Sequence, residues 1–320
     1  MNNTFLSQWK QYLINFNQPQ IVVLEVTTEC TVATCSHCYI CAKEKGKGKY
    51  MSWEVFNYWV DIFNKTKKPY RVIITGGEPT LHPRLKEILE KIHELNIKIN
   101  LVTNGETLNN AVNWSEITPY INTIEISLRG DKSLHDLFTL AADDPLWQEI
   151  PKDTDFEKQM MIGKKLIQKR NIGHYATVIK TLKNLMAIKN NHNFQLNLNI
   201  DIQAAADMVQ CLNSLKEEGI EIDNICLQVT QISGRAKIYP NAIPNLWRQP
   251  TAEMVTKYLD DANRVIKNKL IKGSIMIIDP VPKEIEDKLG LNKNYWKWLY
   301  QPHTVPAISV NGYLRSNVLG

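Results

Sequence analysis

The sequence contains no run of about 18 apolar residues, so no segment reads as a transmembrane helix. Its first residues, Met1 to Asn17, lack the charged start and apolar core of a secretory signal, and a soluble, cytoplasmic protein is expected. Cysteine is scarce: six in 320 residues are too few for a disulfide scaffold. No internal repeat or low-complexity tract is present. Charge of one sign is not in large excess either, with a formal net charge of +5. The two basic runs, Lys43 to Lys49 and Lys164 to Arg170, have no interleaved aromatics. They read as solvated faces rather than a nucleic-acid surface. What remains is a chain with 43% hydrophobic residues, long enough for one large α/β barrel or two domains.

Short apolar runs alternate with helical stretches. The runs at Ile21 to Thr27, Val72 to Thr75, Ile97 to Thr103, Thr123 to Leu128, Gln195 to Asp201 and Asn224 to Thr230 predict strands. Helices are expected at Ser52 to Asn64, Pro83 to Leu95 and Gln203 to Glu218. This order predicts an α/β fold, a partial parallel (β/α)6 barrel over 21–240. A helix over 1–20 would precede it, and a short α+β extension over 241–320 would follow, with a last strand at Ala307 to Leu314. An insertion at about 138–175 would sit at a strand's C-terminal end, where it could act as a lid. Alternation turns Glu25, Thr27, Glu125, Ser127, Arg129, Asn197, Asn199, Asp201, Cys226 and Gln228 towards the lumen.

Four of the six cysteines fall between Cys30 and Cys41, just after the first strand, where a βα barrel places its active site. Clustering of that kind points to metal. Three thiolates in Cys30-x4-Cys35-x2-Cys38 can hold three irons of a 4Fe-4S cluster, leaving the fourth iron open. Cys41 could instead complete a four-thiolate site, so the cysteines alone leave a zinc-binding or cluster-binding module in play. Gly76-Gly77-Glu78-Pro79, between the second strand and a helix, decides for the first reading: glycines that admit close backbone approach stand beside a carboxylate suited to an amino group.

On the cysteine loop, the following Tyr39, Gly-Gly-Glu-Pro, Thr103-Asn104-Gly105 and Ile126-Ser127-Leu128, the sequence resembles the radical S-adenosylmethionine superfamily over roughly Ile21 to Ala236. The resemblance implies a 4Fe-4S cluster on Cys30, Cys35 and Cys38. It implies S-adenosylmethionine on the open iron, its amine oriented by Gly76, Gly77 and Glu78, with Tyr39 near the adenine. Thr103, Ser127, Arg129 and Asn199 become contacts to ribose or carboxylate. The superfamily reduces its cluster with a donor such as ferredoxin or flavodoxin, then cleaves the cofactor to a 5'-deoxyadenosyl radical that abstracts a substrate hydrogen. One departure matters: the family spacing is C-x3-C-x2-C, and here Cys30 and Cys35 are one residue further apart. Either Thr31 to Thr34 absorb the extra residue or Cys35, Cys38 and Cys41 form the triad; Tyr39, in its expected place after Cys38, favours the former.

Ser233-Gly234-Arg235-Ala236 resembles an element of peptide-modifying members related to the molybdenum-cofactor-cyclase group. The tail Val310 to Gly320 is similar to the start of that group's SPASM-type auxiliary-cluster extension, yet lacks its cysteine, so a degenerate or truncated segment is expected. The resemblance therefore implies a peptide or protein substrate, modified for example by epimerisation or cross-linking. A nucleoside, RNA or small-metabolite substrate is the alternative. Cys226 is the candidate catalytic residue, since an inward thiol could donate a hydrogen atom to a substrate radical, as peptide epimerases of the superfamily are thought to do; otherwise it is a small buried hydrophobe. Cys211 reads as packing, and His135-Asp136 as a helix cap.

Overall fold

The computed structural model describes residues 21–106, 112–141, 143–171, 173–201, 208–228, 260–261, 263–277, 296–298, 307–311 and 313–315. The sheet begins with β1 (Ile21–Thr27), β2 (Arg71–Gly76), β3 (Lys98–Thr103), β4 (Thr123–Ser127), β5 (Gln195–Asp201) and β6 (Asn224–Gln228). Each neighbours the next in parallel register. Helices connect them: α1 (Trp53–Lys65) and α2 (Leu85–Glu94), the short α3 (Trp114–Ile117), α4 (Lys132–Phe138), α5 (Leu146–Glu149), α6 (Phe156–Arg170), α7 (Tyr175–Lys189) and α8 (Met208–Glu217).

The extension adds strands to the same sheet. β7 (Ile275–Ile277) pairs with β6 and β8 (Trp296–Trp298) with β7, both in parallel, while β9 (Ala307–Ile308) lies parallel to β1 and β10 (Leu314–Arg315) antiparallel to β9. The order β10-β9-β1-β2-β3-β4-β5-β6-β7-β8 is an open, curved α/β sheet, a partial barrel. The single last strand expected over Ala307 to Leu314 is instead two short antiparallel strands on either side of Asn311. The expected helix over 1–20 lies outside the described residues, as does the Ser233 to Ala236 element.

Local chemistry explains the elements. Ser52 caps α1 through its side chain, which accepts from Val55 N, and Phe56, Trp59, Val60 and Phe63 follow at helical spacing and are buried against the sheet. Each such side chain contributes about 1.5–3 kcal/mol, more than the ~1 kcal/mol of the cap. One phase of every strand feeds this core between sheet and helices: Val22 and Leu24, Val72 and Ile74, Ile99 and Leu101, Ile124 and Ile126, Leu196 and Leu198, Ile225 and Leu227. The other phase divides the lumen in two. Ile21, Val23, Ile73, Ala307 and Val102 form a separate apolar floor under β9 and β1 to β3. Under β4 to β6 the same phase carries Glu125, Asn197, Asn199, Asn224 and Cys226, all buried. No described helix is long and apolar enough to cross a membrane.

Candidate active site

Parallel strands deliver their C-terminal ends to one rim, and four loops meet there. The first is an excursion from β1, closed at its base where Cys30 N donates to Lys43 O (2.8 Å), Lys43 N to Thr28 O (2.8 Å) and Thr28 N to Lys49 O (2.9 Å). Glu29 fastens this base, accepting from Gly48 N (3.1 Å) and from the Tyr50 hydroxyl. Between Cys30 and Cys35 a turn is closed by Cys35 N on Val32 O (3.4 Å). Cys30, Cys35 and Cys38 belong to one small apolar cluster with Val32, Ala33, Ile40 and Ala42, to which Cys41 does not belong. At Cys41 the backbone enters the left-handed region (φ 51°).

Cys30 is the buried one of the three. Burial pushes its thiol up, and the charges of Cys35, Glu78 and Cys38 push it further, which places all of these groups close together. Among the described residues no three His, Cys, Asp or Glu side chains converge on a point for a single ion. A cubane cluster makes a different demand, because each thiolate binds a different iron. A loop of mixed buried and half-buried thiols with an apolar lining suits that demand. Ser36, fully buried between Cys35 and Cys38 with no hydrogen-bond partner for its hydroxyl, marks further unsatisfied polar capacity there.

The second loop is Gly-Gly-Glu-Pro, which closes tightly on the first. Gly77 N donates to Thr27 O (2.7 Å) and Glu78 N to Glu29 O (2.6 Å). Glu78 is fully buried; its Oε1 accepts from Thr80 N (3.1 Å), the Thr80 hydroxyl (2.6 Å) and the Thr103 hydroxyl (2.8 Å), and its Oε2 from Asn104 N (2.8 Å). Burial raises its pKa while these donors lower it. Oε1 thus carries three of these four donors and Oε2 one, which makes Oε2 the less heavily used oxygen. Thr103, besides donating to Glu78, accepts from Gly105 N (3.1 Å), and its hydroxyl is thereby fixed as a brace.

The third loop contributes a residue that sequence reasoning passed over. Asn104 donates through Nδ2 to Thr31 Oγ1 (2.9 Å) and Cys30 Sγ (3.4 Å), tying the end of β3 to the cysteine loop. Its position inside Thr103-Asn104-Gly105 was the available signal. The fourth loop brings Arg129, buried and facing the negative charges of Cys35 and Cys38; burial lowers its pKa to about 10, and those two charges oppose the shift. Its backbone N donates to His135 Nδ1 (3.2 Å), which burial, Arg129 and His174 hold down to about 3, so the imidazole is neutral and accepts. Asp136 accepts from His174 N (2.8 Å) and Tyr175 N (2.9 Å) at the start of α7. Both residues of the pair are therefore fixed in helix-end and loop bracing.

The insertion reaches the same rim. Cys35 forms an antiparallel bridge with Ala141, whose carbonyl accepts from the buried Trp147 indole N–H (2.6 Å). Inside the lumen, the Tyr39 hydroxyl donates to Glu25 Oε1 (3.4 Å), and Asn199 is buried with an unpartnered Oδ1. Ser127 is half-buried at the end of β4, in register with Asn199. Cys226 is fully buried yet outside every apolar cluster, hydrogen-bonded to Glu125 and Asn197. Cys211 instead lies in the main core. The side chains of Asp201 and Gln228 lie outside the described residues.

The partial parallel barrel thus carries at its rim a three-cysteine loop braced by Gly-Gly-Glu-Pro. Residues 24–136 match the Radical SAM superfamily model. Comparison with curated proteins finds no match. Among solved structures, Streptococcus suis SuiB bound to the precursor peptide SuiA is similar, at 15% identity and TM-score 0.60, over 98% of this chain and 64% of that one. SuiB bound to S-adenosylmethionine gives 15% and 0.59, over 96% and 62%. Native anSMEcpe with bound AdoMet and Cp18Cys peptide gives 15% and 0.51, over 94% and 74%. At such identities the likeness is one of fold, and the chain spans less than two thirds of the length of SuiB.

Proposed function

We propose that the protein is a radical SAM enzyme whose cofactors are a 4Fe-4S cluster and S-adenosylmethionine, that it modifies a peptide, and that Cys226 donates a hydrogen atom to an α-carbon radical so that the residue leaves inverted. The observation that carries this reading is a thiol in the polar half of the lumen, held by Glu125 and Asn197 rather than packed among hydrocarbon. The peptide class is supported by the fold shared with SuiB and anSMEcpe, both of which have been seen with peptides.

In this reading Cys30, Cys35 and Cys38 supply three thiolates, and Arg129 offsets their charge. When bound, the cluster and S-adenosylmethionine supply a 5'-deoxyadenosyl radical that removes a substrate hydrogen. Gly76 and Gly77 present bare backbone and Glu78 its less heavily used Oε2 to the methionyl amine. Tyr39, Thr103, Ser127 and Asn199 border the remainder of the cofactor; the unpartnered Oδ1 of Asn199 suits a ribose hydroxyl. The insertion, bridged to Cys35 through Ala141, shields this space from water.

The test uses a mixed library of short synthetic peptides in D2O, with reduced, anaerobically reconstituted protein and S-adenosylmethionine. Wild type is expected to add one deuterium at an inverted α-carbon, whereas Cys226→Ala should still cleave the cofactor without forming that product. The same inverted product from both proteins would sink the proposal.

A further inference from the structure

Resting on the hydrogen-donor reading of Cys226, we propose that Glu125 is the proton partner of that thiol, returning the proton that restores it after each turnover. The two side chains stand on β4 and β6, with β5 between them. Both are buried in the polar half of the lumen and hydrogen-bonded to each other. Asn100 Nδ2 donates to Glu125 Oε1 (3.0 Å), which orients the carboxyl from β3. On the other side Asn197 holds the thiol, and Asn224 Nδ2 donates to Asn197 Oδ1 (2.9 Å). Asn224 Oδ1 in turn accepts from Ser274 N (2.9 Å). These amides make a rigid cradle in which acid and thiol have one another as their titratable partner.

The charged group that acts on the pair is Arg71, half-buried at the start of β2. Burial raises the Glu125 carboxyl to about 7, against the pull of Arg71 and of its hydrogen bonds, so protonated and ionised forms are both accessible near neutrality. A group poised in this way exchanges protons readily; a buried thiol without such a neighbour does not.

The chemistry balances as follows. Donation of a hydrogen atom breaks the S–H bond of Cys226, forms a C–H bond on the substrate and leaves a thiyl radical. An electron from a low-potential one-electron donor of the ferredoxin or flavodoxin class reduces the thiyl, while Glu125 supplies the proton and becomes a carboxylate. The carboxylate, stabilised by Arg71, then recovers a proton from water.

Proton exchange can be read without any substrate. On transfer of the protein to D2O, the infrared S–H band that is missing from Cys226→Ala reports conversion of Cys226 from S–H to S–D. Glu125→Gln keeps the shape and neutrality of the protonated acid but cannot pass a proton. Its exchange is expected to be at least tenfold slower than wild type, with the band itself retained, and Glu125→Asp should recover part of the rate. Equal rates in wild type and Glu125→Gln would overturn the proposal. That result would leave the donor role of Cys226 standing, since the donor role fails only if Cys226→Ala still forms the inverted product.

Discussion

Alanine at Cys30, Cys35 or Cys38 is expected to abolish assembly of the 4Fe-4S cluster, while Cys41→Ala leaves it intact. Iron and sulfide content after anaerobic reconstitution, with the electronic absorption of the cluster, reads the difference directly. Sequence spacing left two triads open: Cys30, Cys35 and Cys38 at steps of five and three residues, and Cys35, Cys38 and Cys41 at steps of three. The placement of the four thiols favours the first triad. Cys30 is drawn into the rim by backbone bonds to Lys43 and by Asn104 on its sulfur, whereas Cys41, a left-handed residue, is not a member of the apolar cluster that holds the other three. Losing one of three thiolates leaves an iron without its protein ligand, so the effect should be near complete. Cluster loss in Cys41→Ala with retention in Cys30→Ala would reassign the triad.

The Gly-Gly-Glu-Pro loop should be nearly as intolerant. A Cβ on Gly77 would lie 1.9 Å from the Glu29 carbonyl oxygen, and one on Gly76, at φ +142°, 2.3 Å from that of Thr27. Gly77→Ala must therefore pull apart the bonds from Gly77 N to Thr27 O and from Glu78 N to Glu29 O, separating the two loops that meet at the rim. Glu78→Ala leaves the donors of Thr80, Thr103 and Asn104 buried without their acceptor. At about 1–3 kcal/mol for each unsatisfied buried group, either change consumes a large part of the stability of an ordinary domain. Both variants are expected to lose S-adenosylmethionine binding and to melt well below wild type. Binding by calorimetry and melting by circular dichroism check this, and wild-type values for Gly77→Ala would contradict the close approach.

Strands β1 to β6 were legible because period-two alternation persists where one face meets helices and the other a polar lumen. Glu125 and Cys226 were turned inward by that alternation alone. The hairpin of β9 and β10 was missed, although Asn311-Gly312 is a strong turn pair between apolar runs. Asn104 and Asn100 carried no charge or thiol to draw attention, and their roles depend on partners about 25 to 74 residues away. Glu78 was read as an open ligand for an amine; the fold shows it also as the knot joining the ends of β2 and β3, since both strands deliver donors to one buried carboxylate. Contact between Cys35 and Ala141 could not be foreseen, because no local pattern specifies where an insertion docks.

The most direct measurement is 5'-deoxyadenosine release by anaerobically reconstituted protein given S-adenosylmethionine and dithionite, wild type beside Cys35→Ala. A radical S-adenosylmethionine mechanism at this rim predicts product from the wild type and none from the variant. Equal product from both, or none from a wild type carrying its full complement of four irons together with the peptide library, would contradict it.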